Sequence, residues 1–186
     1  CVSPPAGLVS WWRGEGTADD IVGTNSGTLV GGVTFTNGEV GQAFSFDGSS
    51  GYVKVPNNAL GAFGTNSFTV ELWASFNTVV AGDIRYPDGG LLIGADEGTG
   101  TMPKWFFALG GGVLSFHINN PSVGPYVFLV QAPFTPNLQQ WYHLAVVRSG
   151  NIFTIFTNGV AIGSETNTMP VPDVNAPLTI GQAEGF

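Results

Sequence analysis

The chain has little of what many functions require. One cysteine, Cys1, stands among 186 residues, so no internal disulfide forms. Its three possible states are acylated, bridged to a cysteine outside this sequence, or free. Charged residues are 10% of the chain, and only five are Lys or Arg, against 13 Asp and Glu, for a net charge of −8. Nucleic-acid binding needs clustered cations to displace counterions, and none are clustered here. An anionic membrane surface is excluded for the same reason. No apolar run approaches about 18 residues, so no membrane-spanning helix is expected. Histidine occurs twice, as His117 and His143, each inside an apolar stretch. No zinc motif, phosphate-binding loop or dinucleotide fingerprint is present; the glycine pairs read as turns.

What the chain does have is punctuation. Gly (28) and Pro (12) break it into many short segments, and no long amphipathic pattern of period 3.6 appears. Short segments of period two, separated by Gly, Pro and Asn, indicate an all-β sandwich. The length fits one domain with a sizeable core. The clearest stretch is Gln140–Gly163. Trp141, His143, Ala145 and Val147 alternate with Tyr142, Leu144, Val146 and Arg148. Ile152–Thr157 follows, and Asn158-Gly159 is a strong hairpin signal. Both residue sets of the first strand are largely apolar. A central strand covered on both faces is therefore expected, with Trp141 in the core.

Other strands are expected at Leu8–Trp12, Gln42–Phe46 with Phe44 and Phe46 inward, Tyr52–Val55, Asn66–Phe76 as a long central strand, and Leu91–Ala95. Lys104–Leu109, Val113–Asn119 and Pro125–Val130 read as a meander, and Leu178–Gly181 as the start of a last strand. The two adjacent tryptophans, Trp11 and Trp12, must face opposite ways, one toward the core.

Several of these stretches carry a resemblance. W-Y-H-L-A-V-V-R with I-F-T-N-G-V is similar to the W-x-H-x-A … Y-V-N-G signature of laminin-G-like jelly rolls, a concanavalin A-like, pentraxin-related family. G-L-V-S-W-W-R-G-E-G at 7–16, then Asp20, Gly23, Asn25 and Gly27, resembles its bacterial secreted form. V-G-Q-A-F-S-F-D-G at 40–48, Tyr52-Val53 and S-F-T-V-E-L-W at 67–73 fall in the same order. The resemblance implies a two-sheet antiparallel jelly-roll sandwich over residues 8–186, after an extended arm at 1–7. It also implies an extracellular or cell-surface location. Relatives continue into a final strand, I-D-E-V-x-I-Y, beside the N-terminal strand. The domain is therefore expected to be C-terminally incomplete here, with an open edge at Leu8–Trp12 that pairs with another chain or with the missing segment. Glu71 is expected beside Ala145, in a structural role.

Fold does not fix function, and this fold hosts lectins, adhesion modules and enzymes. A retaining glycosidase needs two carboxyl groups about 5–5.5 Å apart, and Glu71 has no acidic neighbour at strand spacing. The reading is a noncatalytic carbohydrate-binding or adhesion module of a larger extracellular protein, its partner a glycan or a protein surface. A structural domain of a surface assembly or fibre is the alternative, and a sugar-active enzyme the least expected. The carbohydrate candidates are the aromatics Tyr86, Trp105 and Tyr126 with the amides Asn119 and Asn120. Calcium, a hard cation taking six to eight oxygens, is the ion that suits Asp19, Asp20 and Asn25 in their Gly-rich bend. The resemblance implies a structural calcium near the same place. An Asx-type turn capped by Asp20 without metal stays open beside it.

Overall fold

The structure, a computed structural model, describes residues 3–56, 59–78, 80, 82, 90–122 and 124–182. Thirteen strands alternate with turns: β1 (Thr28–Val30), β2 (Thr34–Asn37), β3 (Gln42–Ser45), β4 (Tyr52–Val55), β5 (Phe68–Ser75), β6 (Gly90–Asp96), β7 (Lys104–Gly110), β8 (Val113–Asn120), β9 (Gly124–Pro133), β10 (Trp141–Ser149), β11 (Ile152–Thr157), β12 (Val160–Thr166) and β13 (Leu178–Ile180). Among the described residues the only helical element is a 3-10 turn at Ala59–Gly61. No helix among them is long and apolar enough to cross a membrane.

A seven-stranded sheet, β1-β4-β13-β6-β7-β8-β9, faces a four-stranded sheet, β12-β11-β10-β5, and β2 and β3 form a separate hairpin. The described pairings are all antiparallel. The core lies between the two sheets. Trp105, Phe107 and Leu109 of β7 and Leu114, Phe116 and Ile118 of β8 enter it from one side. Leu144 and Val146 of β10 and Phe153 and Ile155 of β11 enter from the other. Phe116 stacks on Phe153 across the gap, with centroids 6.1 Å apart, and meets Phe68 at 5.6 Å. This alternation of period two is why the sandwich forms, because each strand buries one residue set.

The hairpin read from Asn158-Gly159 is present. Both residues have positive φ, 50° and 79°, the backbone a two-residue turn requires. Asn158 does more than turn the chain. Its side-chain oxygen accepts the His143 N–H (2.9 Å), and its own N–H donates to the His143 carbonyl (2.8 Å).

Three strand expectations need correction. Leu8–Trp12 is not a strand; its one ladder contact is an isolated bridge, Trp12 to Asp20. The segment is held by side chains instead. The Trp12 indole donates to the Asn25 carbonyl (2.8 Å) while its ring packs on the core, and Trp11 is left exposed. Second, β5 is an edge strand, not a central one: among the described residues it pairs with β10 alone. Its inward Phe68, Val70, Leu72 and Ala74 are only half-buried, whereas their partners Arg148, Val146, Leu144 and Tyr142 are buried. Third, β10 is central but not covered on both faces. Tyr142, Leu144, Val146 and Arg148 point inward. Trp141 therefore stands on the outer face, partly exposed and outside the core.

Inward Arg148 needs explanation, since a buried cation is costly. Its Nη1 donates to the Gly64 carbonyl (2.7 Å) and its Nε to the Gly150 carbonyl (2.9 Å). The guanidinium lies 4.8 Å from the Phe153 ring centroid. Burial pushes its pKa down from the ordinary value.

Candidate functional site

The glycan candidates among the described residues fall at one end of the seven-stranded sheet, where β8 turns into β9. The structure separates them. Trp105 is wholly buried, so it is no platform. On β7 the residues of one parity enter the core, and Trp105 shares that parity with Phe107 and Leu109; its ring meets Phe63 at 5.3 Å and Phe116 at 5.8 Å. Asn119 is also buried, at 1% exposure, and is a brace instead of a contact. Its amide donates to the Gly100 carbonyl (2.9 Å), and its oxygen accepts the Tyr126 N–H (2.7 Å). Asn120 is partly exposed, and its oxygen caps the Ser122 N–H (2.9 Å) in the turn. Tyr86 lies outside the described residues.

Tyr126 is the residue that stays available. It is 41% exposed and has φ 56°, a left-handed backbone rarely adopted by a bulky side chain. Asn119 holds it there, and through Gly100 ties it to the loop between β6 and β7. The base of that loop is fixed by a buried ion pair, Lys104 Nζ to Asp96 Oδ1 at 3.1 Å, with Lys104 also donating to the Gly98 carbonyl.

The outer face of this sheet is covered, and sets polar side chains beside the buried apolar cluster of Leu91, Phe106 and Ala108. Ser115, His117 and Lys104 are each at most 4% exposed. His117 Nδ1 lies 3.4 Å from Ser115 Oγ, and its ring packs between Phe106 (5.2 Å) and Phe128 (5.5 Å). The outer face of the other sheet is open: Trp73 is 50% exposed and stands beside His143, ring centroids 5.3 Å apart. The register that pairs Trp73 with His143 also sets Glu71 opposite Ala145, and Glu71 Oε2 lies 3.5 Å from His143 Nε2. The exposure of Trp73 is not among the sequence expectations. The signal was there in F-T-V-E-L-W, where Trp shares the polar parity with Thr69 and Glu71.

The proposed calcium ligands do not converge. Asp20 is buried, and its Oδ1 accepts three backbone N–H groups, from Trp11 (2.9 Å), Val22 (3.1 Å) and Gly23 (3.0 Å). Its Oδ2 accepts the Asn25 N–H (3.1 Å). Burial raises the Asp20 pKa, but the amides of Gly23, Trp11 and Val22 outweigh it and hold the carboxyl well below the usual range. Asp19 turns away to the Thr17 hydroxyl (2.9 Å), and the Asn25 amide donates to Ser10 (2.7 Å). The Asp20 lone pairs a cation would take are used by amides, and Asp19 points to a different partner, so the three do not fit a calcium ion as arranged. Among the described residues no three His, Cys, Asp or Glu side chains come together as a metal site. The arrangement is the Asx-type cap, and Asp47 repeats it on the next loop, accepting from Ser49, Ser50 and Gly51.

An apolar cleft of about 320 Å³ opens beside the β7–β8 turn, walled by Val80, Leu109, Phe134 and Pro136. Its walls offer few hydrogen-bonding groups.

Two facing antiparallel sheets, with no α-helix among the described residues, define an all-β sandwich. The sequence match is specific: residues 47–186 fit the concanavalin A-like lectin/glucanases superfamily, in its laminin-G-like branch, and the chain belongs to that family. Among curated proteins none matches the sequence. Solved structures share the fold at low identity. Domain 4 of an extracellular arabinanase from Geobacillus stearothermophilus, in complex with arabinotriose, is 17% identical with a TM-score of 0.69, covering 91% of this chain and 80% of its own. The binding domain of botulinum neurotoxin DC, in complex with SialylT, is 17% identical with a TM-score of 0.62, covering 89% of this chain and 41% of its own. An S-layer domain-containing protein of Clostridium thermocellum is 19% identical with a TM-score of 0.50, covering 87% and 73%.

Proposed function

We propose that the domain is a noncatalytic carbohydrate-recognition module of a larger extracellular or cell-surface protein, with Tyr126 and Asn120 facing the ligand. The observation that carries this reading is the exposed Tyr126 ring held at φ 56° by buried Asn119. A left-handed backbone at a bulky residue costs on the order of 1–2 kcal/mol. It persists only where its surroundings impose it, and such strain gathers at binding sites. An aromatic already fixed in place loses little conformational entropy when a sugar stacks on it. The fold likeness to a domain crystallised with arabinotriose supports the class, not the sugar.

The environments of four described carboxylates support the noncatalytic part. Asp20 and Asp47 are engaged with amides, Asp96 with Lys104, and Glu71 with His143. A retaining glycosidase instead sets two carboxyl groups about 5–5.5 Å apart. A glycan array with the wild-type chain and Tyr126→Ala tests the reading. Binding that falls about tenfold in the variant supports it. Release of sugar fragments, or binding indifferent to Tyr126, overturns it.

A second reading, a protein-interaction domain that pairs strands with another chain, is favoured by one feature. Strand β5 is eight residues long, carries no Pro or Lys, and among the described residues pairs on one side only. Such edges are templates for strand addition. Concentration-dependent association by light scattering, with slowed exchange of the β5 amides, would support it.

A further inference from the structure

We infer that the outer face of the four-stranded sheet is a second sugar site, distinct from the Tyr126 rim and built for an uncharged pyranose. Four observations carry it. Trp73 is half exposed on a sheet strand, where its ring offers a flat apolar face to solvent. Glu71, on the same strand and same side, keeps 52% of its side chain exposed. His143 stands against both, 5.3 Å from the Trp73 ring and 3.5 Å from the Glu71 carboxylate. Ala145 lies beside them on β10, paired with Glu71 on one side and with the partly buried Phe156 on the other. Ala145 is itself buried beneath these larger neighbours, so the face is a platform of Trp73, His143 and Glu71 side chains.

The chemistry matches a pyranose. Its ring carbons present C–H groups that lie against an aromatic face, while its hydroxyls need acceptors and donors at the edge. Glu71 accepts two hydroxyl protons, and the imidazole donates or accepts. The site is also preorganised. The His143 backbone is clamped on one side by β5 and on the other by Asn158, and Trp73 is its register partner.

Charge selects within that class. No Lys or Arg of the described residues stands on this face: Arg148, the one cation of β10, points into the core. A carboxylated sugar would meet Glu71, in a chain of net charge −8, with no Lys or Arg of the described residues on this face to offset it. The ligand is therefore a neutral sugar chain, not a uronic or sialic acid polymer.

The test uses the whole chain with cello-, xylo- and mannohexaose as neutral probes and oligogalacturonate as the charged one. Binding is read by calorimetry and by the indole N–H resonance of Trp73. A neutral probe is expected to shift that resonance. Trp73→Ala should weaken its binding about tenfold and Trp73→Phe by less, with the Phe variant guarding against a folding artefact. Oligogalacturonate should bind at least about tenfold more weakly than the neutral probe, and Glu71→Gln should narrow that gap. The inference falls if no neutral probe moves Trp73, if Trp73→Ala and Trp73→Phe both titrate as wild type, or if oligogalacturonate binds as tightly as the neutral sugars. Tyr126→Ala separates the two sites. If it alone abolishes binding, the rim reading stands and this one fails. If Trp73→Ala alone abolishes it, the reverse holds.

Discussion

The two outer faces of the sandwich carry similar residue types and use them differently. Each has a histidine against an aromatic ring, and a carboxylate with a cationic or cation-forming partner. On the seven-stranded sheet these are His117 with Phe106 and Asp96 with Lys104, and His117 and Lys104 are nearly inaccessible to water. On the four-stranded sheet they are His143 with Trp73 and Glu71, and they are open. Burial decides the role. A polar group removed from water must be fully engaged with protein partners and then braces the fold. The same group in water keeps its hydrogen-bonding capacity for a ligand. The candidate contacts are thus the exposed pair of Trp73 and Glu71 and the exposed rim residue Tyr126, while the buried polar residues are supports.

The largest effects should come from emptying the covered side. Trp105→Ala removes a wholly buried indole and should destabilise by about 3–5 kcal/mol. Lys104→Met should cost a similar ~3–5 kcal/mol, because it takes the Lys104 cation away from the buried Asp96 carboxylate. Trp73→Ala, the matching change on the open side, should stay within about 1 kcal/mol. Chemical denaturation midpoints check all three. Equal losses at Trp73 and Trp105 would break the distinction between the faces.

Next comes Asp20, which belongs to neither face and shows what a satisfied carboxylate does. Asp20→Ala removes the acceptor of four amides and should cost about 2–4 kcal/mol. The pH dependence has a definite sign. Asp20 and Asp47 are both held ionised below the usual carboxylate range. Their stabilisation is complete above about pH 4 and is lost as pH falls through their lower folded-state values. Thermal melts of the wild type should drop steeply in acid, and those of Asp20→Ala less so. Added calcium should leave the neutral-pH midpoint unchanged; a rise of several degrees that Asp20→Ala abolishes would restore the cation to this loop.

Much of this was legible in the sequence, and where it was not the reason is physical. Period-two patterning reports which residues alternate, so β7, β8, β9, β10 and the Asn158-Gly159 hairpin were readable. It does not report which parity faces inward when both sets are apolar, and so Trp141 was assigned to the core. Asp20 and Asn25 meet in one loop, through the Asn25 N–H. An amide-saturated cap and a cation cradle call for the same residue types, and only the direction of the lone pairs distinguishes them. Trp105 and Asn119 were chosen by type. Their burial depends on what covers β7 and β8 from elsewhere in the chain, which local sequence does not carry. Edge position is likewise a tertiary property, and β5 reads as well for the centre of a sheet as for its margin.

Tyr126→Gly should give a small effect of opposite sign. Glycine adopts φ 56° freely, so the backbone strain is relieved at the expense of some unfolded-state entropy. A net gain within about 1 kcal/mol is expected, together with loss of rim binding. A stabilised, non-binding variant would place Tyr126 among residues kept for function. A destabilised one would mean that the ring packs more than its exposure suggests.

The smallest effect is the coupling between Glu71 and His143, and it probes the comparison most finely. Their atoms are 3.5 Å apart, but the side chains are 52% and 28% exposed, so solvent screens the pair. Exposed ion pairs contribute about 0.2–1 kcal/mol in double-mutant cycles, and salt reduces this further. A cycle with Glu71→Ala and His143→Ala should therefore give a coupling below about 1 kcal/mol at low salt that fades as salt is added. The same cycle on Asp96 and Lys104 should give a larger coupling that resists salt, because both side chains are only 5% exposed. If the Glu71–His143 coupling proves as large and as salt-resistant, the pair is a structural brace. The carboxylate would then not be free to turn to a sugar hydroxyl, and the open face would lose its polar edge. A weak, screened coupling means that Glu71 exchanges partners at little cost, which is what a contact residue waiting for a ligand must do.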